Sequence, residues 1–180
     1  MTNSARLGEL RDHSVLLFAY GNPSRGDDAV GPLLLEHLEK QASAAGWRHI
    51  ELLSDFQLQI EHALDLTERE LVLFADASVA CSAPFDFREI MPCRDNTYTS
   101  HAMSPQSVLE VYGRTLHSPP PPSFLLSIRG EAFELGASLT PAAEHHLEAA
   151  CAFIEALCAE PSADIWRVRT GETANAPVLK

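Results

Sequence analysis

No apolar run in this chain approaches the length of a membrane-spanning helix. The segment from Met1 to His13 mixes charges of both signs and has no apolar h-region, so no secretory signal is expected there. Basic residues are scarce: Lys and Arg total 13 against 25 Asp and Glu, a formal net charge of -12, and they form no run. Such a surface repels phosphate backbones and anionic lipid, which argues against nucleic acid and membrane as partners. Cysteine is scarce as well. The four present (Cys81, Cys93, Cys151 and Cys158) show no CxxC spacing and no tight framework, as expected of a reduced, cytoplasmic protein. Several enzyme signatures are missing too: HExxH, the GxSxG elbow, GxGxxG and the GK[ST] ending of a P-loop.

What remains is an ordinary globular mixture of 180 residues, 46% apolar and 21% charged, which suits a single domain with a sizeable core. Strand-like and helix-like segments alternate along it. Ser14 to Tyr20 (SVLLFAY) and Glu70 to Asp76 (ELVLFAD) are continuous apolar runs of the kind buried in parallel sheets. His49 to Leu53 and Phe124 to Arg129 (FLLSIR) add two more strands, and Phe85 to Ile90 alternates like an edge strand. Helices are expected from about Asp28 or Gly31 to Gln41, after Ser104-Pro105, and after Thr140-Pro141. Asp28, Ser104 and Thr140 stand as natural N-caps for them. In the last helix Cys151 and Cys158 lie seven apart on one apolar face, as small buried residues. His145 and His146 fall on its solvent side. The expectation is an α/β fold: a twisted, mostly parallel sheet of about five strands sandwiched between helices. One domain spans 1–180, with its core at about 14–158 and flexible ends at 1–13 and 159–180.

In such sheets chemistry gathers where loops leave the carboxyl ends of the strands. Three polar features stand there: the loop GNPSRGDD from Gly21 to Asp28, Asp76 directly after LVLFA, and His101 shortly before a helix cap. A carboxylate placed against core either accepts several local hydrogen bonds or serves a ligand, because a buried lone charge is costly. Asp28, Asp76 and His101 together offer O, O and N donors to a divalent transition metal, with coordination positions left for a substrate. Each also has a plainer role open to it: Asp28 as a helix cap, Asp76 as an acceptor of loop amides, His101 as a solvated loop residue. Asn22 and Asp27 are candidates for orienting Asp28 or binding a substrate backbone. A thiol nucleophile at Cys81 or Cys93 paired with His101 is a further possibility. A phosphate-binding role for the glycine loop is opposed by its two aspartates.

The string GNPSRGDDAVGPLLLEHL resembles the opening signature of the [NiFe]-hydrogenase maturation endopeptidases. The resemblance continues in order at FADA (Phe74 to Ala77), SHAMSP (Ser100 to Pro105) and GASLTPAAE (Gly136 to Glu144), over most of the chain from Val15 to Leu157. It implies a hydrolase, an aspartyl-type peptidase that removes the C-terminal extension from the precursor of a hydrogenase large subunit once nickel is in place. It also implies that Asp28, Asp76 and His101 form the catalytic and metal-reading trio. Nickel would come with the precursor, no permanently bound cofactor would be needed, and the protein would act as a cytoplasmic monomer. Two departures stand out. Ala29 replaces a glycine common in the family, and DFQLQIEHA (Asp55 to Ala63) replaces a glycine-rich turn. That segment resembles the variant in members serving cytoplasmic, cofactor-reducing hydrogenases. The alternative from another class is a non-enzymatic nickel-binding maturation chaperone using the same trio.

Overall fold

The computed structural model of the protein describes residues 11–94 and 103–171. Two apolar runs become central strands because both of their faces are covered: β1 is Val15–Tyr20 and β3 is Leu71–Ser78. They are joined by β2 (Ile50–Asp55), β4 (Phe85–Ile90) and β5 (Ser123–Arg129) in a five-stranded sheet of order β2-β1-β3-β5-β4. Every pairing is parallel except β4 with β5, and β4 is the half-exposed edge that its alternation suggests. The twisted, mostly parallel α/β sheet expected from the sequence is present.

Among the described residues four helices accompany it: α1 (Val30–Ala45), α2 (Pro105–Leu116), α3 (Pro141–Ala159) and α4 (Ala163–Val168). None is long and apolar enough to cross a membrane. The period-2 alternation of the strands sorts the core into two layers. Val15, Leu17, Ala19, Leu73 and Leu126 face α1 and α3. Leu16, Phe18, Val72, Phe74 and Leu125 face α2 and the 3₁₀ segment Ile60–Leu66. Ser104 and Thr140 cap their helices as expected, accepting from the backbone N–H of Ser107 and Ala143, each with proline at the first helical position.

Three expectations change. Asp28 does not cap α1. It lies in a 3₁₀ turn, Gly26–Ala29, and the helix proper starts at Val30. The tail from residue 159, expected to be flexible unless Trp166 ordered it, forms α4 within its described part; the helix buries Trp166 completely and ties its indole N–H to the carbonyl of Leu157 at 3.1 Å. An aromatic side chain needed only one helical turn to anchor, too short for a periodic signal. Finally, His146 is not a solvated neighbour of His145. Its Nδ1 contacts the carbonyl oxygen of Arg129 at 2.8 Å.

Candidate functional site

The loop after β1 folds back on itself so tightly that its first residue must be glycine. Gly21 has φ +148°, and a Cβ there would meet the carbonyl oxygen of Asp28 at 2.2 Å. The turn aims the Asp28 carboxylate back along the strand, where Oδ2 accepts from the backbone N–H of Asn22 at 2.8 Å. Asn22 itself accepts from Ser24 N–H at 2.9 Å through its side-chain oxygen, closing a small side-chain turn. The other loop amides are spent inside the protein as well. Arg25 N–H goes to Asn22, Gly26 to Ala137, Asp27 to Ala132 and Asp28 to Arg25. With every backbone N–H from Asn22 to Asp28 engaged, the loop offers no backbone cradle for a phosphate.

The adjacent aspartates have opposite fates. Asp27 is fully buried, and four donors meet it: the backbone N–H groups of Glu131 (2.8 Å), Ala132 (3.1 Å) and Thr140 (2.8 Å), and the Thr140 hydroxyl (3.0 Å). Burial alone would raise its pKa, but these hydrogen bonds outweigh it and hold the carboxyl below its usual range. Both of its oxygens are occupied in the interior by these donors, which clasp the turn that carries Asp28 to the segment 131–140. Asp28 remains half-buried at the edge of the sheet.

Asp76 stands on β3 beside it. The register pairs Ala19 of β1 with Ala75 of β3, which sets Tyr20 next to Asp76 one residue further along each strand. On the other side Tyr20 pairs with Asp55 of β2, and Asp76 pairs with Ser127 of β5. These four continue the rows of Leu53, Phe18, Phe74 and Leu125 on the α2 face, so their side chains share that face. A polar row thus crowns one apolar layer at the carboxyl edge of the sheet. Burial is the main reason that the Asp76 carboxyl is pushed up to about 7. Hydrogen bonds from the Tyr20 hydroxyl and from Ala77 N–H pull it down, and the charge of Asp28 pushes it further up. Burial, and then the Asp76 charge and hydrogen bond, keep Tyr20 well above the ordinary range of a phenol, so it stays a donor.

His101, the third expected donor, lies outside the described residues. Among the described residues no group of three or more His, Cys, Asp or Glu side chains is arranged to hold a metal ion. The chemistry of Asp28 and Asp76 nonetheless suits a cation. Two mutually repelling carboxylates, one kept partly protonated by burial, are relieved by a positive charge between them. The thiols offer less: Cys81 is pushed up by burial, away from the thiolate form a nucleophile needs, and Cys93 sits on the surface. Cys151 and Cys158 are buried in the core, as their spacing suggested.

The fold that carries these residues is shared with known proteins. The structure matches the hydrogenase maturating endopeptidase HybD from E. coli with a TM-score of 0.62 at 23% identity, over 82% of this chain and 93% of that one. It matches a [NiFe] hydrogenase maturation protease, HycI from Thermococcus kodakarensis KOD1, with a TM-score of 0.63 at 16% identity, over 83% and 94%. A further endopeptidase from Escherichia coli matches at 0.61 and 24% identity, over 82% and 93%. The fold is that of the hydrogenase maturation endopeptidases. No protein-family model matches the chain, and no curated protein matches it.

Two polar residues of this edge escaped the sequence reading. Asp55 ends β2 as Asp76 nears the end of β3, and the same rule would have found it had the strand been drawn two residues longer. Its Oδ1 accepts from Phe56 N–H at 2.6 Å, and its Oδ2 lies 3.3 Å from Nε2 of His62. His62 accepts Gln59 N–H at Nδ1 (2.9 Å), so in its neutral form the proton sits on Nε2, facing Asp55. The departure DFQLQIEHA is therefore a self-bonded unit. Beside it runs an open groove of about 340 Å³, lined by Gly21, Pro23, Pro32, Ser54, Asp55 and Phe56.

Proposed function

We propose that the protein is an endopeptidase that removes the C-terminal extension of a nickel-loaded [NiFe]-hydrogenase large-subunit precursor. The observation that carries this reading is the convergence of Asp28 and Asp76 at the carboxyl edge of β1 and β3. Their charges interact there, within a fold shared with solved maturation endopeptidases. Nickel is part of the substrate in this reading. It arrives held by the precursor's own ligands, and Asp28, Asp76 and His101 complete its coordination and so dock the scissile bond. Asp76, poised near neutrality, gives up its proton as the metal arrives. Polarisation of the scissile carbonyl or of water by the metal then assists hydrolysis, or one aspartate serves as general base while the metal positions the peptide. The groove beside Gly21 and Asp55 offers the adjoining peptide a place to lie. The protein acts as a monomer in the cytoplasm, where the precursor is made, and needs no resident cofactor.

Mass spectrometry of precursor mixed with the protein tests this. Nickel-loaded precursor should lose its extension, and nickel-free precursor should keep it. Asp76→Asn and His101→Ala, with their folding checked, should lower the cleavage rate by 100-fold or more, on the order of 3 kcal/mol. Full-rate cleavage by either variant removes that residue from the trio. Tight nickel uptake by the free protein with no shortening of the precursor would replace the enzyme by a nickel-binding chaperone.

A further inference from the structure

The motif LTP opens α3, and capping that helix is one of two tasks its threonine performs. The Thr140 hydroxyl accepts from Ala143 N–H at 3.2 Å, and the same oxygen donates to Asp27 Oδ2 at 3.0 Å. The Thr140 N–H donates to Asp27 Oδ1 at 2.8 Å. Both oxygens of one buried carboxylate are thus fixed from the end of a 19-residue helix. The chain that leaves β5 completes a bracket. Gly130 N–H donates to the carbonyl of Ser78, the last residue of β3, at 3.1 Å. The next two amides, of Glu131 and Ala132, donate to Asp27, and Asp27 N–H returns a bond to the Ala132 carbonyl at 2.8 Å. The contact is close: a Cβ on Gly130 would stand 3.0 Å from that of Asp27. Because β3 lies between β1 and β5, this segment reaches across the end of the strand that carries Asp76 to the turn that carries Asp28. Asp28 follows Asp27 directly, and its own carboxylate accepts from Asn22 N–H instead.

We propose that Thr140 is a positioning residue for Asp28: acting through Asp27, its hydroxyl fixes the turn Gly26–Ala29 against the end of β3, and with it the place from which Asp28 engages the metal of the substrate. The proposal rests on the endopeptidase reading above. Without the hydroxyl, Asp27 Oδ2 keeps the amides of Glu131 and Ala132, so the turn still forms. Its tie to α3 is then reduced to the Thr140 N–H, at a helix end that has lost its cap. A ligand displaced by a fraction of an ångström costs rate, whereas docking of the precursor, spread over a wider surface, is little changed.

The test is Thr140→Val, which removes the hydroxyl and keeps the shape, with Thr140→Ser as the variant that restores it. With nickel-loaded precursor, kcat of Thr140→Val should fall about tenfold while KM stays within about twofold. Thr140→Ser should recover kcat to within about twofold of the wild type. A second readout needs no substrate. The amide proton resonance of Asn22, whose N–H donates to Asp28, should move upfield in Thr140→Val as that bond loosens, and return in Thr140→Ser. Trp166→Ala, which destabilises the opposite face, should leave kcat and the Asn22 resonance unchanged, and so separates positioning from loss of stability. Wild-type kcat in folded Thr140→Val, whatever its melting temperature, overturns the proposal and leaves the endopeptidase reading standing. An equal loss of kcat in Thr140→Ser overturns it as well, as does an Asn22 resonance that stays in place in Thr140→Val. If the wild type itself leaves nickel-loaded precursor uncut, the functional reading falls first and this proposal falls with it.

Discussion

The carboxyl group of Asp76 is held in an environment that disfavours its charge. The folded protein raises it to about 7, against about 3.9 for an aspartate in an unfolded chain. Between these values the folded state retains a proton that the unfolded state has lost, so stability falls as pH rises from about 4 to about 7. Asp76→Asn abolishes this penalty and keeps an acceptor for Tyr20. The substitution should therefore stabilise the protein at pH 8, by on the order of 1–3 kcal/mol after allowance for partial solvent screening, and should make little difference at pH 4. Thermal melts of both forms at the two pH values measure it. A melting temperature at pH 8 below that of the wild type would contradict the assignment. Stability gained where activity is lost is the expected signature of a functional carboxylate.

Asp27 shows how one residue joins two elements far apart in the chain. The amides of Glu131 and Ala132 and that of Thr140, the N-cap of α3, would otherwise be left without these partners. Asp27 takes the Thr140 N–H and hydroxyl, and Thr140 in turn caps the helix at Ala143. The motifs GDD and LTP, read separately in the sequence, are therefore one hydrogen-bonded unit that holds the Asp28 turn against α3. Asp27→Asn places an amide N–H₂ among these donors and should cost about 2–4 kcal/mol, read as a lower urea midpoint with an unchanged slope. The sign of the pH effect is opposite to that of Asp76. With its folded pKa depressed, Asp27 contributes stability that is present above about pH 4 and is lost as pH falls through the folded value. The variant should accordingly lose part of its deficit in acid.

At the scale of the whole molecule the two faces of the sheet divide the work. The face under α1 and α3 is closed by α4, where Trp166 meets Phe124 edge-on at 5.3 Å and Phe87 at 6.3 Å. The polar row at the carboxyl edge lies on the opposite face. Trp166→Ala should cost about 3–5 kcal/mol through the cavity it leaves, yet leave the cleavage rate of the folded protein unchanged. Denaturation and single-turnover cleavage, measured on the same preparation, separate the two effects. A loss of cleavage in fully folded protein would show that the faces are coupled.

Much of this was legible in the residues themselves. Continuous apolar runs and the turn after Tyr20 suffice for β1, β3 and their parallel neighbours, because such runs are stable only when both faces are buried. Asp76 was visible for the same reason, as a charge abutting core. Asp28 was visible as a candidate but not in its local geometry, since capping and 3₁₀ geometry are decided by where the chain returns. The burial of Asp27 by the segment 131–140 depends on contacts more than a hundred residues apart, and no spacing rule reveals it. Likewise Asp55, Tyr20 and Asp76 become neighbours only through strand register. The sequence by itself determined the layers and the placement of acidic residues at strand ends, because periodicity and burial are local properties of a chain. Only the tertiary structure decided which of two adjacent aspartates turns inward and which faces the edge, because that choice belongs to the partners each carboxylate meets.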